Sequence, residues 1–110
     1  MLVHEFIIVS EVPESIHYTD YCKAQMTLIS DEFILKNHEP IQKIEMYCQN
    51  LHQKMMGIDY YGITILDCKM AEKLKAEIIR FCVPSENLTK LVDLLNQSIL
   101  EKKYIIHFGI

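Results

Sequence analysis

Apolar positions alternate along the opening stretch LVHEFIIVS, with Val3, Ile7 and Val9 on one side and His4, Phe6 and Ile8 on the other. Period-two spacing of β-branched and aromatic residues predicts a strand, and apolar groups on both faces predict that both faces are covered. After the turn EVPES the spacing lengthens. Tyr18, Cys22, Met26, Ile29 and Phe33 recur every three or four residues between Pro13 and Lys36, which fits a helix, although MTLIS and FILK can also be read as short strands. NHEPIQKIEMYCQNLHQKMMG carries a similar stripe at Ile41, Ile44, Cys48, Leu51 and Met55, with Pro40 at a first helical position and Gly57 as a stop.

DYYGITILD returns to period two and predicts a second strand. Asp67 then caps a helix through CKMAEKLKAEIIRFCV, with Met70, Leu74, Ile78 and Phe81 on one side. Pro84 ends it, and Ser85 caps ENLTKLVDLLNQSILE, whose inward stripe is Leu88, Leu91, Val92, Leu95 and Ile99. The chain closes on KYIIHFGI, a strand with Tyr104, Ile106, Phe108 and Ile110 opposed to Ile105 and His107. The order βααβααβ predicts a single α/β (α+β) domain over residues 1–110. Long helical connections permit parallel pairing, so a small three-stranded parallel or mixed sheet covered by about four helices is expected.

Composition narrows the chemistry. Half of the 110 residues are hydrophobic, which excludes disorder, and no apolar run is long enough to cross a bilayer. With no basic leader before His4 and Glu5, a cytoplasmic location is expected. Cys22, Cys48, Cys68 and Cys82 form no C-x-x-C pair and read as reduced thiols. The net charge of -4 is unevenly spread: residues 1–67 hold ten acids against four bases, and the remainder five acids against seven bases. An acidic half repels phosphate backbones and attracts a basic partner, so neither nucleic acid nor membrane is expected as a ligand.

Glu45, Cys48 and His52 would share one face of a helix, but Cys48 lies in the apolar stripe and no fourth ligand accompanies them; no metal or other cofactor is expected. No serine sits in G-x-S-x-G and no glycine-rich loop cradles phosphate, so no catalytic residue is assigned. His107 reads as a hydrogen-bonded sheet histidine with His4 as a candidate neighbour. The remaining polar features favour protein recognition: Glu11, Glu14, Asp20, Asp31 and Glu32 form the acidic surface, with Tyr18 and Tyr21 as anchors.

YYGITIL at 60–66, two amphipathic helices and LLNQSILEKKYIIHFGI together resemble the small immunity proteins encoded beside bacterial polymorphic or contact-dependent growth inhibition toxins. The resemblance spans roughly residues 58–110. It implies a non-catalytic protein that binds a cognate toxin domain, often a nuclease, and blocks its active site or its approach to substrate. The alternative is a regulatory or ligand-sensing α/β domain acting as a homodimer, which an apolar cavity in the fold would favour. Both a monomer and a homodimer are compatible with the sequence.

Overall fold

A computed structural model describes residues 2–110. Its centre is a six-stranded sheet in which every neighbouring pair is antiparallel. In chain order the elements are β1 (Val3–Val9), a 3-10 turn (Tyr18–Asp20), β2 (Thr27–Ser30), α1 (Asp31–Lys36), α2 (His38–Gln42), β3 (Glu45–Cys48), β4 (Lys54–Met56), β5 (Ile63–Leu66), α3 (Cys68–Phe81), α4 (Glu86–Glu101) and β6 (Tyr104–Phe108). The strands lie in the order β2-β1-β6-β5-β3-β4.

The expected three-stranded parallel or mixed sheet is therefore wrong, and its failure has two causes. First, a pair of antiparallel helices returns the chain to the end of the sheet it left. After β5, α3 runs back, α4 runs forward again, and β6 must enter antiparallel to β5; only a single-helix crossover would have made the pair parallel. Second, both segments assigned to the early helices contain strands. The stripe from Ile41 to Met55 divides into the short α2 and the β3-β4 hairpin, where Met46 is fully buried and Tyr47 pairs with both Lys54 and Ile65. Burial on a pleated surface outweighs a three-four spacing sustained for only two turns. Between Pro13 and Lys36, only Asp31–Lys36 is α-helical. Ser30 stops β2 and starts α1, its hydroxyl accepting the Phe33 N–H at 3.2 Å.

The second half follows its pattern except at Phe81, expected on the inward side of α3 but 50 % exposed at the helix end. Asp67 and Ser85 cap α3 and α4 by accepting from Met70 N–H at 2.9 Å and Leu88 N–H at 3.1 Å. Leu74, Ile78, Leu91 and Leu95 bury against Phe6, Ile29, Leu66 and Ile105 on one face of the sheet. The opposite face is not covered by helices. There, residues 10–26 form an irregular strap whose Val12, Ile16, Tyr21 and Met26 close over Ile65, Ile106 and Phe108. All four cysteines are free, Cys22 exposed and Cys82 buried. Among the described residues no helix is long and apolar enough to cross a membrane.

Candidate functional site

Three adjacent central strands place polar side chains on the helix-covered face. His107 of β6 lies opposite Phe6 of β1 on one side and Thr64 of β5 on the other, and His4 comes diagonal to it along β1. His4, Thr64 and His107 are all fully buried. His4 Nδ1 is 2.8 Å from His107 Nε2, His4 Nε2 is 3.0 Å from Asp31 Oδ1, and His107 Nδ1 is 3.2 Å from Thr64 Oγ1. The chain ends at Asp59, whose backbone N–H donates to Thr64 Oγ1 at 2.8 Å.

With both rings neutral, the partners fix the tautomers. Asp31 is acceptor-only, so His4 Nε2 carries the proton and His4 Nδ1, in the neutral ring, accepts from His107 Nε2–H; His107 Nδ1 then accepts from the Thr64 hydroxyl. Each link carries one proton and no member is left unpaired. Burial is the main cause that depresses the pKa of His107 from 6.5 to about 3, consistent with a neutral ring. At the outer end, hydrogen bonds from Tyr60 and then His4 hold the Asp31 carboxyl below its ordinary range. The same Tyr60–Asp31 bond, with burial, pushes the Tyr60 phenol up to about 12.

Asp31, two histidines and a hydroxyl have the membership of a nucleophile relay, but Thr64 Oγ1 is sealed in the sheet and already accepts a backbone N–H, so no substrate reaches it. Nor does an ion fit between ring nitrogens at hydrogen-bonding distance, and among the described residues no group of three His, Cys, Asp or Glu side chains converges as a metal site. The arrangement ties β1, β5, β6 and α1 together. Glu45, Cys48 and His52 are dispersed: Cys48 Sγ turns to Asp59 Oδ2 at 4.0 Å, and exposed His52 reaches Glu14 at 3.7 Å.

The seven residues read as a recognition surface occupy two places. Glu11, Glu14, Tyr18, Asp20 and Tyr21 lie in the strap, whereas Asp31 and Glu32 open α1 on the helix-covered side. Asp31 is only 14 % exposed and committed to His4, while Glu32 is exposed. In the strap, Tyr18 is 42 % exposed and yet fixed: its hydroxyl donates to Glu5 Oε1 and Oε2, each at 3.0 Å, and its ring meets Phe108 edge-on at 5.1 Å. The Glu5 bond is the main cause of a raised Tyr18 pKa. Tyr21 leans on the same Phe108 ring at 5.8 Å. Glu5 was not among the residues read from sequence; its alternation with buried neighbours on β1 was the available signal.

Two of the concavities border the outer end of the histidine chain, one at Asp31 and one at Tyr60. An open trough of about 1250 Å³ runs beside β2, α1 and the start of α4. A smaller cleft of about 370 Å³ is walled by Ile34, Leu35, Ile41, Ile58, Tyr60 and Tyr61. Comparison of the chain with protein-family models, curated proteins and solved structures finds no match, so neither a family nor a fold neighbour assigns a role to these groups.

Proposed function

We propose that this chain is a cytoplasmic, non-catalytic immunity protein that neutralises a cognate bacterial toxin domain, a nuclease with a basic cleft, by occupying the toxin's active site or substrate approach. The observation that carries the reading is the strap: Glu11, Glu14 and Asp20 are exposed along the same segment as Tyr18, whose ring is held in place by Glu5 and Phe108. A fixed aromatic loses little side-chain freedom on binding, and carboxylates on the same segment steer a basic partner and mimic its phosphates. The resemblance of residues 58–110 to immunity proteins supports the same conclusion.

The test is co-expression with the product of the neighbouring gene, scoring survival and recovery of a heterocomplex. Protection lost in Tyr18→Ala and weakened in Glu11→Lys/Glu14→Lys, with an unchanged melting curve, supports the strap as the contact surface. Survival indifferent to the protein, with no complex formed, removes the proposal. Glu32→Lys probes the α1 side separately, because reversing Asp31 would also break its bond to His4.

The apolar cleft favours a second reading, a ligand-sensing domain, since its walls could enclose a small apolar ring or acyl group. Native mass spectrometry distinguishes the two: a co-purifying small molecule supports sensing, and ligand-free protein that still protects cells does not.

A further inference from the structure

The two ends of the sheet are finished differently. β4 is three residues long and carries exposed Lys54, a charged guard against strand addition. β2 has no such guard. Its backbone directions follow from two contacts: Asp31 N–H turns inward to Leu2 C=O, whereas Ser30 N–H turns outward to Asn87 Oδ1. Because directions alternate along an antiparallel strand, Leu28 N–H and C=O point outward with Ser30, away from β1. Around this open rung stand exposed Leu2, Leu28 and Leu35, at 59 %, 44 % and 55 %.

A trough follows the strand here, between β2 and α4, and Lys90 and Asp93 line it beside Leu28. They lie three residues apart on α4, and among the described residues neither makes an ion pair within the chain. A strip with an open backbone rung at its centre and one unpaired charge of each sign alongside is self-complementary under a twofold axis. We infer that two copies of this chain associate through antiparallel pairing of their β2 edges about a dyad at Leu28, with Lys90 of each copy against Asp93 of the other, forming one sheet across both. The two Leu28 residues exchange both of their backbone hydrogen bonds, and the leucines around the rung leave water together.

Sedimentation velocity and light scattering of the full chain, from about 1 µM to about 1 mM, read the association directly. The expected result is a concentration-dependent dimer. Leu28→Pro deletes only an outward N–H and should leave a folded monomer. Lys90→Asp sets Asp against Asp at both symmetric contacts and should weaken the dimer at least about tenfold, more so at low salt. The double variant Lys90→Asp/Asp93→Lys restores opposite signs and should restore association; with Asp93 exposed and Lys90 half-buried, a melting curve matching the parent's establishes that it is folded, and it then decides the matter even if Leu28→Pro is unstable. A monomeric mass across the whole range overturns the inference. So does a dimer indifferent to all three variants, and so does an edge that pairs only with a strand from another protein.

Discussion

The buried histidine chain should write itself into the pH dependence of stability. His107 is neutral in the fold, with its pKa depressed to about 3, and ordinary in the unfolded chain, at 6.5. Between those limits the unfolded state binds one more proton, so stability rises with pH across the window and is lost as pH falls through it. The slope approaches about 1.4 kcal/mol for each step of one in pH in the middle of the window, which integrates to about 2.5 kcal/mol between pH 6 and pH 4. A domain of this size has roughly 5–15 kcal/mol in total, so the loss is easily read. The groups facing His107 are His4 from β1, Thr64 from β5 and the Phe6 ring. Asp31, at the far end, has a depressed carboxyl pKa, so its contribution is present above 3.8 and disappears only in stronger acid.

Urea unfolding followed by circular dichroism at pH 4, 5, 6 and 7.5 separates the two contributions. His107→Leu should cost about 2–6 kcal/mol at pH 7.5, because the His4 ring nitrogen and the Thr64 hydroxyl lose buried partners. The gap between variant and parent should then narrow between pH 6 and pH 4 by about the 2.5 kcal/mol that the parent loses. Parallel stability curves for the two proteins from pH 4 to pH 6 would refute the assignment of a neutral, buried His107.

Two further outcomes follow from the fold. Removing residues 104–110 takes out the strand between β1 and β5 and should abolish cooperative unfolding; a soluble truncation with a sharp urea transition would show the strand to be dispensable. Lys102 closes α4 in the left-handed region at φ 55, so Lys102→Gly should stabilise by about 0.5–1 kcal/mol in the same assay, and a loss of stability would count against that backbone geometry.

What could be read from the sequence divides at about residue 58. Helices α3 and α4 run long enough for a period of 3.6 to dominate, and Asp67 and Ser85 mark their starts with the caps the structure shows. Strands β1, β5 and β6 were legible by alternation. The β3-β4 hairpin was not, because its turn places Gln49 at φ 68, where glycine or asparagine would have signalled a reversal, and its apolar residues happen to fall at helical spacing. β2 is four residues long, too short for a period to declare itself. At the site, the contact of His4 with His107 could be anticipated, since both sit on apolar strands. Asp31, Tyr60 and Thr64 join them only through tertiary folding, and charge alone made Asp31 look like a free surface acid.

The histidine chain also bears on the proposed recognition face, although the two lie on opposite sides of the sheet. β1 and β6 carry apolar residues on both faces, so hydrophobic burial alone discriminates weakly between registers one residue apart. A slip of β6 by one position would carry His107 to the strap side, beside Ile65 and Ile16, and leave the His4 nitrogen and the Thr64 hydroxyl without partners. At about 1–3 kcal/mol for each orphaned group, that penalty is a substantial fraction of the domain's stability. Leaving such groups unpaired makes a buried polar network a register lock. The register so fixed sends Phe108 to the strap face, where both Tyr18 and Tyr21 rest on its ring. The polar contacts sealed beneath the helices thus determine where the exposed Tyr18 ring stands, and a change at His4 or His107 reaches the strap through β6 without altering any residue on that face.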